Sequence, residues 1–254
     1  MEKRRGRPVF NPVDFRAYLA RRRGVAESEI SVPEDIIFTY DKGIFRAAVE
    51  QTAAAPASWY IYHDRLYHGA IGGKRVGIVD AMIGAPAASM NLEELISYGA
   101  KRVYEVGLSG AIDDSLEPGD VVVLTGAVSD EGTSKHYYKG GSRFDASSRL
   151  TKKLEASLRK GRLGYVAGRA WTTDAPYRET VEKVVRFRSK GARVVNMESS
   201  AIFAIAKFRG IEAASVQVIS DIVSEKEWGP AFHKISVEKR RVEVVAAVLR
   251  AIEG

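Results

Sequence analysis

The chain contains no cysteine and only four histidines among its 254 residues. The lack of cysteine excludes disulfides, thiolate nucleophiles and cysteine metal sites, and it fits a reducing compartment, so we expect a cytoplasmic protein. The histidines His63, His68, His136 and His233 show no metal-ligand spacing, and we predict no metal site. No uninterrupted apolar stretch reaches the ~18 residues that a membrane span needs, so we expect no membrane role.

The positive charge of the chain is concentrated at its amino-terminal end. Residues 1–25 hold eight basic and two acidic side chains, which accounts for +6 of the formal net charge of +7. A terminal basic run is most often a solvated face, so we do not expect nucleic acid as a partner. Asp14 can cap a short helix from Phe15 to Arg23, which Gly24 ends and whose apolar side should dock on the body or on a neighbour. We therefore predict a basic extension with a short helix over residues 1–30 and one domain over residues 31–254.

Beyond residue 30, strand-like and helix-like segments alternate, and no interdomain linker or repeat interrupts them. This order predicts an α/β fold, a single domain whose central mixed and twisted sheet is flanked by helices. The segment 129–149 is polar and rich in glycine, so we expect a mobile loop there.

The segment 193–206 predicts a strand that runs directly into a helix, with Glu198 at the join. In open α/β sheets ligands bind at this carboxyl end of the strands. A second strand, 214–220, ends in Ser220 and Asp221, so we expect two carboxylates to meet at one edge of the sheet. Either carboxylate alone is more often a partner of a helix dipole or a structural cap.

Other segments at strand ends have the composition of ligand-binding turns. The turn 107–110 contains two glycines and Ser109, which lets a ligand approach the backbone closely, although a simple tight turn has the same composition. The loop 41–43 precedes a helix with Arg46 in its first turn, an arrangement that suits an anion but is common in α/β domains.

Several motifs follow one another between residues 73 and 221: Gly84-Ala85-Pro86, Gly107-Leu108-Ser109-Gly110-Ala111-Ile112, Gly119-Asp120-Val121, Asp130-Glu131-Gly132-Thr133-Ser134, Thr172-Thr173-Asp174-Ala175-Pro176-Tyr177, Asn196-Met197-Glu198-Ser199 and Ile219-Ser220-Asp221. In this order the motifs resemble those of the nucleoside phosphorylase and nucleosidase superfamily. Within it, the chain is most similar to the branch of uridine phosphorylases and of trimeric or hexameric purine nucleoside phosphorylases.

The resemblance implies cleavage of the N-glycosidic bond between ribose and a base. It implies that Glu198 holds the ribose hydroxyls, that Met197 packs on the sugar and that Asn196 faces the base or the sugar. Asp221 matches the aspartate that protonates the leaving base in purine-cleaving members, so a purine is favoured. The wider substrate-binding set that the resemblance implies is Asn196, Met197, Ser109, Gly110, Thr173, Tyr177, Arg178 and Ser220.

The resemblance also implies phosphate as a co-substrate without any cofactor, and self-association as a dimer or hexamer. Phosphorylases of this family carry an arginine before the 107–112 turn and a threonine within it, and both hold phosphate. Here Glu105 and Leu108 stand at those positions. A carboxylate ~4 Å from phosphate costs roughly 4 kcal/mol per charge pair at an effective dielectric near 20. Gly84, Arg46, Arg65 and Arg178 then become the candidates to bind phosphate.

Three functions stay open at this point. The first is a phosphorylase that converts a purine ribonucleoside to free base and ribose 1-phosphate, which is our prediction. The second is a hydrolytic nucleosidase in which Glu105 activates water. The third is a non-catalytic nucleoside-binding homologue; the loss of two phosphate-binding positions favours it, and the retention of Glu198 and Asp221 opposes it.

Overall fold

The structure is a computed structural model that describes residues 1–4, 6–62 and 64–254. His63, which belongs to the histidine set above, lies outside the described residues. The helices are α1 Pro12–Arg23, α2 Lys42–Gln51, α3 Ala85–Ser97, α4 Ser134–Tyr137, α5 Ser148–Lys160, α6 Val181–Ser189, α7 Ser199–Arg209 and α8 Ile235–Glu253. The strands are β1 Glu2–Lys3, β2 Asp35–Thr39, β3 Ala55–Pro56, β4 Leu66–Ile71, β5 Lys74–Asp80, β6 Arg102–Ala111, β7 Val121–Ser129, β8 Tyr138–Lys139, β9 Arg143–Asp145, β10 Val166–Thr172, β11 Ala192–Asn196, β12 Glu212–Val223 and β13 Trp228–Pro230. Across the described ranges, none of these helices combines the length and apolarity that crossing a membrane requires.

The central sheet is mixed and has the order β13-β12-β7-β10-β11-β6-β2-β5-β4-β3, with β9 beside β7. Strand β6 pairs with both β11 and β12, so β12, β7, β10, β11 and β6 close on themselves. Strands β2 and β5 extend the sheet from β6 in parallel. The predicted α/β fold with a central mixed sheet flanked by helices is confirmed.

The core lies on both faces of the sheet because helices cover each face. In β2, Ile36 and Phe38 pack in the layer that contains α1, α3 and α7, whereas Ile37 packs in the layer that contains α2, α5 and α8. Successive side chains of a strand point to opposite faces, which produces this division. Because both faces are covered, every residue of β2 is buried.

The amino-terminal helix docks on the body through an apolar face, as the sequence predicts. Leu19 is fully buried in the same core as α3, and the guanidinium of Arg16 donates to the carbonyl of Ser97 at 3.0 Å. The helix begins earlier than predicted, because Asn11 rather than Asp14 is the N-cap. Asp14 lies at the third helical position, where its carboxylate accepts a hydrogen bond from the Asn11 N–H at 2.7 Å.

The segment 129–149, predicted as a mobile loop, has more regular structure than the sequence indicates. This segment contains α4, β8 and β9, and it buries Tyr138 and Phe144. Its polar side chains pair with each other and with the core: the Glu131 carboxylate is fully buried and accepts hydrogen bonds from Ser134 and Ser200. Polar composition does not mean exposure at Glu131, because this carboxylate is paired internally.

Candidate active site

Glu198 lies where β11 passes into α7, and it is the N-cap of that helix rather than a residue of its first turn. Its carboxylate accepts a hydrogen bond from the Gly84 N–H at 2.8 Å and another from the Met197 N–H at 3.1 Å. Gly84 has a φ of 95°, in the region that favours glycine, and it directly precedes α3. The side chain of Glu198 is only 6% exposed, so two loops hold one buried carboxyl group in a fixed orientation.

A second carboxyl group and a phenol lie beside Glu198. Glu105 is fully buried on β6; it accepts a hydrogen bond from the Ser199 hydroxyl at 2.6 Å and one from the Tyr40 hydroxyl at 3.3 Å. Burial raises the pKa of Glu198 to about 7, and Glu105 adds to the rise while the two N–H donors oppose it. Burial likewise raises the pKa of Glu105, against the hydrogen bonds from Ser199, Ser215 and Tyr40. Burial therefore shifts both carboxyl groups toward the protonated form.

Asp221 lies on β12 directly opposite Gly110 of β6. The Ser220 hydroxyl donates to its Oδ1 at 2.7 Å, and the indole N–H of Trp228 donates to its Oδ2 at 2.9 Å. A methyl group on Gly110 would lie 3.2 Å from Oδ2, so only glycine leaves room beside this carboxylate. The strand also continues past the end at 220 that the sequence suggests, because β13 pairs with its last three residues.

The two carboxylates come from strands on either side of β6. Strand β11 pairs with the end of β6 at Gly110 and Ala111, and β12 pairs along its length. Both carboxylates lie at one edge of the sheet, as the sequence predicts, but β6 separates their strands. This arrangement leaves the turn end of β6, with Ser109 and Gly110, between the two acidic groups.

Two of the proposed substrate-binding side chains are engaged inside the protein. Asn196 accepts a hydrogen bond from Thr172 at 3.0 Å and donates to Ser199 at 2.6 Å. The Ser109 hydroxyl donates to Gln217 at 3.0 Å. Ser215 and Glu105 connect the two groups, since Gln217 donates to Ser215 and both Ser215 and Ser199 hydrogen-bond to Glu105, so Asn196 and Ser109 support the site from within.

The loop after β10 places one proposed residue inside and two outside. Thr173 is buried, whereas Tyr177 is 99% exposed and Arg178 is also exposed. The next residue, Glu179, lies close to Asp221: burial raises the pKa of Glu179 to about 7, and the charge of Asp221 contributes while Lys183 opposes the rise. The loop therefore brings a fourth carboxyl group to the site, on the side of Asp221.

The arginines proposed for phosphate lie in different places. Arg65 stays at the carboxyl edge of the sheet, with Nη1 4.0 Å from Oδ2 of the buried Asp80, to which Lys42 is also paired. Arg46 is exposed and folds back along α2, where it donates to the carbonyl of Lys42 at 3.2 Å. Across the described ranges, no hydrogen bond joins Arg46 to either Glu198 or Asp221.

Two residues of the site escaped the sequence analysis. Tyr40 directly follows β2, and only the neighbouring position of β6 brings its hydroxyl to Glu105. Trp228 lies seven residues beyond Asp221 and reaches it through a hairpin. A lone tryptophan shortly after the Ser-Asp motif was the available signal. Over the part of the chain that the structure describes, no three His, Asp or Glu side chains cluster closely enough to hold a metal ion.

A family model described as the phosphorylase superfamily matches residues 36–253. The chain belongs to the phosphorylase superfamily. A superfamily relative, the DeoD-type purine nucleoside phosphorylase of Bacillus cytotoxicus, is 30% identical over 184 residues, which cover 70% of this chain and 77% of the relative. The DeoD-type enzyme of Bacillus cereus is 32% identical over 161 residues, which cover 61% and 67%.

Solved structures of the superfamily have the same fold. The purine nucleoside phosphorylase of Toxoplasma gondii superposes with a TM-score of 0.79 over 89% of this chain and 92% of its own, at 20% identity. The uridine phosphorylase of Vibrio fischeri superposes with a TM-score of 0.75 over the same shares of both chains, at 26% identity. The predicted family is thus confirmed; the relatives include enzymes named for purine nucleosides and for uridine.

Proposed function

We propose that this superfamily member cleaves the N-glycosidic bond of a purine ribonucleoside with phosphate, giving free base and ribose 1-phosphate. The observation that carries the proposal is the placement of a buried Glu198 and a doubly hydrogen-bonded Asp221 on either side of the β6 turn. Phosphorylase is also the activity in the names of the relatives. Phosphate is the co-substrate, and no cofactor takes part.

Glu198 is the proposed ribose group. The ionised carboxylate accepts hydrogen bonds from ribose hydroxyls and favours the positive charge that develops on the sugar as the bond to the base breaks. Because the Gly84 and Met197 N–H groups orient it in advance, little reorganisation is needed on binding. Met197 follows Asn196 at the same join and is the proposed apolar contact of the sugar.

Asp221 is the proposed acid for the base. As the C1′–N bond breaks, its electron pair moves to the base, a ring nitrogen takes the proton of the Asp221 carboxyl group, and a phosphate oxygen forms the new bond to C1′. General acids of this kind typically contribute about 10²–10⁴-fold to the rate. Ser220, Gly110 and Ser109 border this carboxyl group, and Thr173, Tyr177 and Arg178 lie on the loop proposed to cover the base.

The test is incubation with inosine, adenosine and uridine, with and without phosphate, followed by chromatography of free base and ribose 1-phosphate. Release of purine that requires phosphate is the expected result. Asp221→Asn should then slow the cleavage of inosine about 10²-fold or more. The cleavage of a nitrophenyl riboside should keep nearly the same rate, because its leaving group needs no proton. Equal losses on both substrates, or a parent preference for uridine, would contradict the purine-acid role.

A hydrolytic nucleosidase is the second candidate, because of the groups at Glu105. Glu105 and Leu108 occupy the positions where the resemblance puts phosphate-binding groups, and the described residues show no Lys or Arg paired with Glu105. A carboxylate there can take a proton from water but repels phosphate. Glu105→Gln separates the two cases: it should lower the KM for phosphate of a phosphorylase, and it should abolish the phosphate-independent release of base by a hydrolase.

We further propose that residues 1–30 are an extension added to a catalytic domain over residues 31–254; the start of the family match at residue 36 supports this division. Self-association as a dimer or hexamer and a cytoplasmic location are proposed from the family resemblance. Arg65 and Gly84, both near the carboxyl edge, remain the proposed phosphate contacts. The position of Arg46 argues against its inclusion within one chain.

A further inference from the structure

Trp228 is a large aromatic residue in a position that core packing does not explain. Its side chain is 61% exposed, so its burial contributes little to stability. Its one polar group, the indole N–H, is nevertheless directed at Oδ2 of Asp221 at 2.9 Å rather than at solvent. An exposed indole ring whose N–H donates to Asp221 indicates a role at the candidate active site.

The hairpin that carries Trp228 is closed by several hydrogen bonds. The Ser224 hydroxyl accepts from the Glu227 N–H at 3.0 Å, and the Ser224 N–H donates to the Glu227 carbonyl at 3.2 Å. Trp228 then pairs with Val223, and the Ala231 N–H donates to the carbonyl of Ser220 at 2.9 Å. Both ends of β13 are thereby fixed to β12, so the indole is held against Asp221 by backbone structure.

We propose that Trp228 is a positioning residue of the base subsite, which fixes the orientation of Asp221 and stabilises the charge that this group acquires as the base departs. The inference rests on the proposed function, because it assumes that Asp221 gives a proton to the leaving base. Ser220 acts on the other oxygen in the same way.

The chemical step shows why an N–H donor matters here. When the O–H bond of the Asp221 carboxyl breaks and the proton passes to a ring nitrogen, a full negative charge develops on the carboxylate. A donor already placed at 2.9 Å stabilises that charge more than it stabilises the neutral acid. The same donor also stops rotation of the carboxyl group, so the proton stays aimed at the base.

Other charged groups face Asp221 and must be separated from this effect. Glu179 lies close enough for its pKa to respond to the charge of Asp221, and Lys183 acts on Glu179 in the opposite direction. The substitution Trp228→Phe changes neither charge and keeps an aromatic side chain. It removes the indole N–H together with the five-membered ring that carries it, so a Trp→Phe change elsewhere must serve as the control for the smaller ring.

The test compares Trp228→Phe with the parent on inosine and on a nitrophenyl riboside. A lost hydrogen bond to a charged group corresponds to about 10- to 100-fold in kcat/KM, which we expect on inosine only. The KM for phosphate should not change. Trp59→Phe, an equal change in the aromatic cluster near Tyr98, is the matched control and should behave as the parent does.

A double variant gives the decisive measurement. If Trp228 acts through Asp221, adding Trp228→Phe to Asp221→Asn should cause no further loss on inosine, whereas independent effects would multiply. An equal loss on both substrates, or multiplying effects, would overturn the inference. If Asp221→Asn leaves the rate of inosine cleavage unchanged, Asp221 is not the acid and the proposed function fails. If Asp221→Asn slows inosine more than the nitrophenyl riboside but Trp228→Phe does not, only the role of Trp228 fails.

Discussion

The substitution Glu198→Gln removes a buried ionisable group while it keeps the size and shape of the side chain. Burial raises the pKa of Glu198 from 4.5 to about 7 in the folded protein. Between pH 4.5 and about pH 7, the Glu198 carboxyl group keeps its proton in the folded chain but has lost it in the unfolded chain. Glu198 therefore stabilises the fold most below about pH 4.5, and this contribution is lost as the pH rises through about 7.

The size of this contribution follows from the two pKa values. The difference between 4.5 and about 7 corresponds to about 3 kcal/mol, most of which should disappear between about pH 5 and pH 8. Glutamine has no proton to lose. We therefore expect Glu198→Gln to gain about 2 to 3 kcal/mol in free energy of unfolding, relative to the parent, over this pH interval.

The assay is urea unfolding of both proteins at pH 5 and pH 8, at one protein concentration, followed by far-ultraviolet circular dichroism. Glu117→Gln, a change at an exposed carboxylate, is the control and should differ from the parent by the same amount at both pH values. If the difference in free energy of unfolding between Glu198→Gln and the parent is the same at both pH values, the reasoning is refuted. Activity of the same variant should fall strongly, because the ribose hydroxyls lose their charged acceptor.

Further predictions concern the base pocket, the extension and the phosphate edge. Gly110→Ala should lower the free energy of unfolding by about 1–3 kcal/mol and slow inosine cleavage, because the new methyl would lie 2.7 Å from Val223 and 3.2 Å from Asp221. A variant with the unfolding free energy and the inosine rate of the parent would contradict this. Deletion of residues 1–25 should lower the melting temperature, because it removes the buried Leu19, but should spare turnover at saturating substrate. Arg65→Ala should raise the KM for phosphate, whereas Arg46→Ala should leave it within about twofold, since only Arg65 is proposed to contact phosphate while Arg46 folds back along α2.

Local patterns in the sequence were sufficient to predict the fold class and the join at Glu198. Alternating strand and helix patterns, with apolar side chains on the faces that must be buried, lead to a sheet covered by helices whatever the details of the turns. The strand at Val194 and Val195 and the apolar helix after it likewise predict a carboxylate at a strand end. These features depend on residues close together in the chain, which is why a single sequence suffices for them.

Contacts between distant segments were decided only by the tertiary structure. The sequence does not indicate that β6 lies between the strands of Glu198 and Asp221, because strand order depends on how the whole sheet closes. The polar 129–149 segment looked like a loop, yet Glu131 is buried, because Ser200 of α7 donates a hydrogen bond to it in addition to Ser134 of its own segment. Trp228 meets Asp221 only because a hairpin folds β13 back onto β12. The sequence by itself determined which chemical groups the protein carries; the packing of the sheet decided which of those groups meet, because hydrogen bonds and burial depend on distance in space and not along the chain.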